Sequence, residues 1–310
     1  MSCSGVLFNP DKDIPDLSGK VVLVTGGNAG LGFETIRQLS KHSPAHIYLA
    51  ARSQAKGEEA VKKLNELNPK APPITFLSLD LASFDSIKAA ARTFRQASDR
   101  LDILINNAGI MMTPEGLTEE GYEIQFGTNH MGPALFTQLL LPTLKHTATI
   151  NHDVRVIFLS SNLSDSAPKN TYQLEDLKTT MPDIATRHRY GISKVANIHY
   201  AAAFAERHRE LKCISMHPGI VLTNLTGPLL DSYPGLVRKG IALGLKAASV
   251  TVDKGALNQL WAATSAEAKS GVFYYPVGVT GKGSKLSENE EQRQKLWSWT
   301  SKELQDHIEL

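Results

Sequence analysis

Short apolar runs alternate along this chain with stretches of helical periodicity, and this alternation restricts the folds open to it. Runs rich in Val, Ile and Leu occupy residues 21–24, 47–50, 74–79, 103–105, 154–159, 213–216 and 272–275. Apolar residues recur at helical spacing in residues 31–40, 55–67 and 84–97. Strands that are apolar at nearly every position must be buried on both faces of their sheet, where helices can cover them. The pattern therefore predicts an α/β fold, a doubly wound parallel sheet of about seven strands with helices on both faces.

Length and composition predict one globular domain with a small-molecule ligand. The chain has 310 residues, of which 42% are hydrophobic and 21% charged, enough to bury a full core. No linker, repeat or low-complexity tract divides it, so we expect a single domain over residues 1–310. Irregular additions are expected near 162–187 and 224–250, and a helix after Leu286. The net charge of +2 is spread along the chain, which predicts no binding to nucleic acid or charged membranes.

The cysteines and the first residues predict a cytoplasmic protein. Cys3 and Cys213 are too few and too far apart for a disulfide framework, which fits a reducing compartment. Residues 1–18 combine no basic segment with an apolar core, and no later apolar run is long enough to cross a bilayer. No Cys/His cluster has zinc spacing, so no metal is expected.

A glycine-rich turn follows the first predicted strand and precedes a helical stretch. Its residues include Thr25, Gly26, Asn28, Gly30, Leu31 and Gly32. Glycine exposes bare backbone, and the first turn of a helix presents free N–H groups, so such a turn can bind a pyrophosphate. An ordinary glycine-rich turn is the alternative, but the strand before it and the helix after it favour a dinucleotide site.

The residue after the second predicted strand indicates which dinucleotide is bound. Sites for NAD place a carboxylate there to bind the ribose hydroxyls, whereas an arginine accommodates a 2′-phosphate. This chain has Arg52 at that position. A guanidinium can bind the phosphate through charge-assisted hydrogen bonds, so the sequence favours NADP(H). An exposed arginine without a ligand is the alternative.

Tyr190 and Lys194 form a Y-x-x-x-K pair that can transfer a proton. Residues four apart share a face of a helix, which places the ammonium beside the phenol. A phenol has a pKa of about 10, so Tyr190 needs a neighbouring cation to lower its pKa if it is to ionise near pH 7. Lys194 and an oxidised nicotinamide would both supply positive charge. Since the pair also occurs by chance in helices, its interpretation depends on the dinucleotide turn upstream.

Ordered motifs over nearly the whole chain resemble the short-chain dehydrogenase/reductase family. They are the turn at residues 25–32, Asp80-Leu81, Asn106-Asn107-Ala108-Gly109, Asn129, Ser161, Tyr190 with Lys194, and Pro218-Gly219-Ile220-Val221-Leu222-Thr223. The resemblance implies a Rossmann fold and hydride transfer with a nicotinamide cofactor. Arg52, the segment 128–132 and the segment 295–297 look most like the retinol-dehydrogenase and carbonyl-reductase branch.

The resemblance implies a catalytic role for four residues. Ser161 would hydrogen-bond the substrate carbonyl, and Tyr190 would donate its proton to the developing alkoxide. Lys194 would lower the tyrosine pKa and bind the nicotinamide ribose, and Asn129 would anchor a water that relays the proton. Two of these positions have simpler interpretations, Asn129 as a helix kink and Ser161 as a strand-end hydroxyl.

The resemblance also implies a set of cofactor contacts. The cofactor-binding positions are Thr25, Gly26, Asn28, Gly30, Leu31, Gly32, Arg52, Asp80, Leu81, Asn107, Ala108, Gly109, Tyr190, Lys194, Pro218, Gly219, Val221 and Thr223. Asp80 would contact the adenine amine, and the backbone after Gly219 with Thr223 would fix the carboxamide. A helix cap is the alternative for Asp80, and a turn residue is the alternative for Asn107.

Two departures from the family limit what it implies. Residues 162–189 form a longer segment between Ser161 and Tyr190 than is usual, so we expect an insertion beside the active site. In longer carbonyl reductases such an insertion covers the helices through which relatives tetramerise, which favours a monomer or homodimer here. The N-terminal anchor of membrane retinol dehydrogenases is missing, which argues against a retinoid substrate.

The substrate pocket is expected between this insertion and a lid near residues 224–250. The lid supplies the apolar side chains Leu225, Leu229, Leu230, Tyr233, Leu236 and Val237, and no convergent arginine pair. A medium-sized apolar or aromatic ketone or aldehyde is therefore favoured. His217 precedes Pro218 and could face this pocket, although we expect a packed or turn histidine.

Together these features predict NADPH-dependent reduction of a ketone or aldehyde, or the reverse oxidation, with Tyr190 as acid and base. Two alternatives stay open. One is a non-catalytic NADP-binding sensor or scaffold, which the four intact catalytic positions disfavour. The other is an epimerase or dehydratase of the same fold. No G-x-S-x-G elbow follows a strand, so the sequence does not indicate a hydrolase.

Overall fold

Seven parallel strands form one sheet in the computed structural model, which describes residues 5–221 and 249–309. The strands are β1 Val21–Thr25, β2 His46–Ala51, β3 Ile74–Ser78, β4 Ile103–Asn106, β5 Arg155–Leu159, β6 Lys212–Met216 and β7 Phe273–Tyr274. Their order is β3-β2-β1-β4-β5-β6-β7, and every neighbouring pair is parallel. Strand order therefore reverses between β1 and β4, where a ligand crevice forms in such sheets.

Helices cover both faces of this sheet. They are α1 Pro10–Asp13, α2 Gly30–Leu39, α3 Gln54–Leu67, α4 Phe84–Ala97, α5 Ile124–Phe126, α6 Gly132–Ile150, α7 Thr186–Arg207, α8 Val252–Thr264 and α9 Glu290–Leu304. One buried cluster joins the sheet to α4, α6, α7 and α9, and a second joins it to α2, α3 and α8. Neighbouring residues of β1 point to opposite clusters, Leu23 to the first and Val22 to the second. The predicted doubly wound α/β fold is confirmed.

Element boundaries follow from local hydrogen bonding. Helix α4 has the predicted bounds, and the Ser83 hydroxyl at its N-cap accepts the Ser86 N–H. The last strand is shorter than the predicted 272–275, because the Tyr275 backbone bonds with Val279 in a turn instead of extending the ladder. The predicted helix after Leu286 is α9.

The segment 162–187 packs against α7, and its contacts reach as far along the helix as His199. It contains 3-10 helical turns at Asn162–Ser166 and Asp176–Lys178. Between those turns, the buried Tyr172 hydroxyl lies 2.8 Å from Nδ1 of His199 on α7. Close packing is possible at Gly191, where a Cβ atom would lie 2.6 Å from Ser166 Oγ. The segment is therefore folded against α7.

The predicted lid lies almost entirely outside the described residues. Of residues 224–250, the structure describes only 249 and 250. Thr223 and the six apolar side chains assigned to the lid are also outside the described part, so their roles stay predictions. Among the described helices, none combines the length and the apolar character needed to span a bilayer.

Candidate active site

The glycine-rich turn joins β1 to α2 at the strand ends where the sheet reverses its order. Gly26 and Gly30 have positive φ angles of 66° and 52°, which favour glycine. At Gly32 a Cβ atom would lie 2.4 Å from the Gly26 carbonyl oxygen, so the close approach of helix and turn requires glycine there. Ala29 at the N-cap of α2 makes no side-chain cap, which leaves N–H groups of the first helical turn for an anion.

A first cavity of about 470 Å³ opens above this turn. Its walls include most of the predicted cofactor positions: Thr25, Gly26, Asn28, Gly30, Leu31, Arg52, Asp80, Leu81, Asn107, Ala108 and Gly109. Helix N–H groups without a side-chain cap, beside a cavity of this size, fit the pyrophosphate of a dinucleotide. The walls also include Ile110, Thr128 and Val252, which were not predicted as cofactor contacts because they belong to no phosphate-binding pattern.

Hydrogen bonds from the loop after β4 to the end of β1 hold this side of the cavity together. The Asn107 Nδ2 donates to the Thr25 carbonyl oxygen at 2.8 Å, and the Ala108 N–H donates to Thr25 Oγ1 at 3.0 Å. Asn107 therefore has a tertiary role beyond that of a turn residue. These bonds fix the two strand ends that border the crevice.

Arg52 and Asp80 meet at the outer end of the first cavity. Arg52 Nε lies 4.0 Å from Asp80 Oδ2, and the arginine side chain is 77% exposed. This exposed contact contributes little to stability, so the guanidinium is available to a ligand. Asp80 Oδ1 accepts the Ala82 N–H at 3.0 Å, whereas Ser83 is the cap of α4. Asp80 is therefore not the N-cap of α4; its carboxylate instead bonds to the backbone of the turn before that helix.

A second cavity of about 230 Å³ adjoins the first and brings together three of the four predicted catalytic residues, whereas Asn129 lines neither cavity. Ser161, Tyr190 and Lys194 line it, as do the predicted cofactor positions Pro218, Gly219 and Val221. Five residues border both cavities: Leu31, Asn107, Gly109, Ile110 and Leu159. A ligand that fills the first cavity can therefore reach the catalytic groups.

Helix α7 carries the Y-x-x-x-K pair on one buried face. Tyr190 is 6% exposed and Lys194 is 3% exposed. Lys194 Nζ lies 5.6 Å from the centroid of the Tyr190 ring and donates to the Leu159 carbonyl oxygen at 3.1 Å. The ammonium is thus held between the end of β5 and the phenol.

The protein groups around Tyr190 keep its phenol protonated. Burial raises the pKa of Tyr190 to about 12, and a hydrogen bond with Ser161 opposes this increase in part. Burial also lowers the pKa of Lys194 to about 8. Desolvation is the largest influence on the Tyr190 phenol, and the lowering of its pKa by Lys194 stays a prediction.

Asn129 acts on the loop after β4 from a π-helical turn, Gly127–Met131, between α5 and α6. Its Nδ2 donates to the Ile110 carbonyl oxygen at 2.9 Å and to Ser193 Oγ at 2.9 Å. Its Oδ1 accepts the Ile110 N–H at 2.8 Å. The helix is irregular at Asn129, as the helix-kink interpretation expects. The side chain also reaches the loop after β4, which borders the cavities, as the functional interpretation expects. The water-relay role stays a prediction.

Methionines form an apolar wall of the second cavity. Met111 and Met112 line it beside Leu163 and Ile220. Met112 has a φ of 52°, a strained value for a side chain other than glycine, and its N–H donates to Gln125 Oε1 at 2.7 Å. No local sequence motif distinguishes these methionines, so their place in the cavity wall was not predicted.

His217 both packs in the core and borders the second cavity. Its ring meets the Tyr275 ring edge-on at 5.5 Å between centroids, as expected of a packed histidine. The same residue lines the cavity with Tyr190 and Lys194. In the part of the chain that the structure describes, no group of three or more His, Cys, Asp or Glu side chains could hold a metal ion.

Known proteins resemble this chain over most of its length. The family model described as short chain dehydrogenase matches residues 20–172. A short-chain dehydrogenase/reductase of Armillaria gallica is 40% identical over 302 residues, covering 95% of this chain and 93% of that protein. Retinol dehydrogenase 12 of Mus musculus is 37% identical over 212 residues, covering 68% of this chain and 64% of that protein.

A solved structure agrees with these sequence relatives. NADPH-bound carbonyl reductase from chicken fatty liver matches with a TM-score of 0.62 and 27% identity, covering 86% of this chain and 99% of that chain. The resemblance predicted from the ordered motifs is confirmed, and the chain belongs to the short-chain dehydrogenase/reductase family of nicotinamide-dependent oxidoreductases.

Proposed function

We propose that this protein reduces a ketone or aldehyde to an alcohol with NADPH, and that Tyr190 is the proton donor. The observation that carries the proposal is the meeting of Ser161, Tyr190 and Lys194 in a cavity continuous with the glycine-rich turn. A bound nicotinamide would supply the hydride to the carbonyl carbon.

The residues of the chain would orient the carbonyl and supply the proton. Ser161 Oγ would donate a hydrogen bond to the carbonyl oxygen and hold it beside the Tyr190 hydroxyl. With a pKa raised to about 12, Tyr190 is a neutral phenol at physiological pH, which is the form that donates a proton to an alkoxide. Lys194 Nζ would bind a ribose hydroxyl from its position beside Leu159.

Arg52 supports NADPH as the cofactor. It lies after β2, lines the first cavity, and has a largely exposed guanidinium. A carboxylate at this position would repel the 2′-phosphate, whereas a guanidinium can form charge-assisted hydrogen bonds with it. The carbonyl reductase from chicken fatty liver, a relative in fold, binds NADPH.

The cavity walls support an apolar substrate of moderate size. Seven of the eighteen residues that line the second cavity are methionine, leucine or isoleucine, and methionine adapts to varied apolar shapes. We infer a monomer or homodimer, because other parts of the same chain cover α7. Tyr172 contacts His199 of this helix, and the Trp297 ring stacks on Tyr200. We also propose a single domain with a lid near 224–250, and a cytoplasmic location.

The test of catalysis is Tyr190→Phe, with Tyr200→Phe as the matched control. Tyr200 lies on the same helix, is equally buried, and has its hydroxyl bonded to Gln138 at 3.0 Å. We expect Tyr190→Phe to lower kcat by about 10²–10⁴-fold while NADPH binding, followed by fluorescence, is retained. Tyr200→Phe should retain most of the activity. A fully active Tyr190→Phe enzyme would refute the assignment.

Two other functions are separable by product analysis. A non-catalytic sensor or scaffold would bind NADPH without oxidising it in the presence of any carbonyl compound. An epimerase or dehydratase would not leave the hydride of the cofactor in its product. With deuterium-labelled NADPH, the proposed reaction leaves the label on the alcohol carbon.

A further inference from the structure

His217 reaches the second cavity from a third structural element. Ser161 follows β5 and Tyr190 lies on α7, whereas His217 directly follows β6. Its side chain is 6% exposed and lines the cavity together with both residues. Under the proposed function, Ser161 and Tyr190 bind the reacting oxygen. His217 is therefore placed to contact another part of the substrate.

Hydrogen bonds on both sides hold the His217 backbone. Its N–H donates to the Tyr274 carbonyl oxygen at 2.8 Å, and its carbonyl oxygen accepts Asn258 Nδ2 at 2.8 Å. The Tyr275 ring packs against the imidazole at an interplanar angle of 72°. The imidazole is thus part of a rigid wall and presents a preformed surface to a ligand.

One ring nitrogen of His217 lacks a partner. Nδ1 is buried and has no hydrogen bond among the described residues. Other buried histidine nitrogens without partners belong to His42, His130 and His208, and none of these residues lines either cavity. Buried polar atoms are nearly always hydrogen-bonded, so the unpaired nitrogen of a residue at a cavity wall is a candidate for a ligand contact. A half-turn of the ring exchanges nitrogen and carbon positions within the same volume, so a nitrogen can face the cavity.

The character of the imidazole limits what it binds. Burial lowers the pKa of His217 to about 4, so the ring is neutral at physiological pH and offers one donor and one acceptor. A neutral imidazole supplies no charge to compensate a carboxylate or phosphate. Met111, Met112 and Leu163 provide apolar walls in the same cavity, against which an apolar part of the substrate would pack.

We propose that His217 determines specificity by hydrogen-bonding a second, uncharged oxygen of the substrate. The substrate class is then an apolar carbonyl compound that also has a hydroxyl or a second carbonyl group. This inference rests on the proposed function and specifies the substrate of the same site.

The test compares His217→Phe with the wild type on four ketones: acetophenone and its alpha-, meta- and para-hydroxylated derivatives. Phenylalanine keeps a ring of similar shape and removes both nitrogens. At least one hydroxylated ketone should lose about tenfold in kcat/KM, mostly through KM, which corresponds to about 1.4 kcal/mol. Acetophenone should change by less than about threefold, because it has no second oxygen to lose a partner.

Met112→Leu is the matched control, since it alters an apolar wall and should change kcat/KM for all four ketones by a similar factor. Equal losses for all four ketones in His217→Phe would overturn the inference. If that variant does not fold, the KM values of the wild type still test the inference. Equal KM values for all four ketones would contradict a second hydrogen bond to the substrate. Failure of the wild type to oxidise NADPH with any of them would instead contradict the proposed function.

Discussion

Glu123 and Arg189 form a buried ion pair, with Oε1 and Nη1 3.2 Å apart, next to Tyr190. Arg189 immediately precedes Tyr190 and also donates to the Thr180 carbonyl oxygen at 3.2 Å. The Glu123 N–H donates to the Leu177 carbonyl oxygen at 2.9 Å. The pair thus fastens the segment 162–187 to the start of α7.

Removing one charge of this pair should destabilise the protein. In Glu123→Gln the Arg189 guanidinium stays buried without its counter-ion, and such losses cost about 3–5 kcal/mol. We expect a lower free energy of unfolding in urea and lower reductase activity, because the segment beside Tyr190 loses its anchor. The double variant Glu123→Leu with Arg189→Met should recover much of the stability, since it leaves no unpaired charge. A single variant as stable as the wild type would contradict the role of the pair.

Substitution of Gly191 should disturb the contact between α7 and the segment 162–187. A Cβ atom there would lie 2.6 Å from Ser166 Oγ and 2.8 Å from the Leu163 carbonyl oxygen. We expect Gly191→Ala to lose about 1–3 kcal/mol of stability through overpacking, and to lose activity because Ser161 precedes the displaced turn. Gly116→Ala is the control, as its nearest neighbour would be Ile124 Cβ at 3.7 Å. Similar melting temperatures and activities for the two variants would refute this prediction.

Arg52→Ala should weaken NADPH binding more than NADH binding. The guanidinium is exposed beside the first cavity, and the loss of a charge-assisted hydrogen bond costs about 1.5–3 kcal/mol, or about 10–100-fold in Kd. NADH has no 2′-phosphate, so its Kd should change little. Calorimetric titration of both cofactors measures the difference. Arg209→Ala, which alters an exposed arginine just after α7, serves as the control, and equal effects on both cofactors would exclude a phosphate contact by Arg52.

The buried Lys194 should make stability depend on pH in the alkaline range. Burial lowers its pKa from 10.5 to about 8, so between these values the unfolded chain binds a proton that the folded chain does not. Stability of the wild type relative to Lys194→Met should therefore rise with pH from about 8 to 10.5, by about 3 kcal/mol. Urea unfolding of both proteins across this window measures the change.

Lys302→Met controls for this pH effect, because it removes an exposed lysine and retains the buried ammonium. Its unfolding free energy should follow that of the wild type throughout the window. Parallel curves for the wild type and Lys194→Met would show that Lys194 titrates alike in the folded and unfolded chains.

Local patterns were sufficient for the fold and for the positions of the main motifs. Apolar runs and helical spacing depend on neighbouring residues alone, so they predicted the strands and the bounds of α4 directly from sequence. Tyr190 and Lys194 share a face of α7 for the same reason. Gly26 and Gly30 were recognisable because the backbone angles of the turn require glycine.

Contacts between distant segments were decided only in the folded chain. The bonds from Asn129 to Ile110, the pairing of Glu123 with Arg189 and the placement of His217 at the cavity wall join residues that no periodic pattern relates. The direction of the Tyr190 pKa also depends on this packing, because desolvation arises from every element that covers the phenol. Sequence thus determined which elements form and where the reactive groups lie along them, whereas tertiary packing determined their partners, their burial and their protonation.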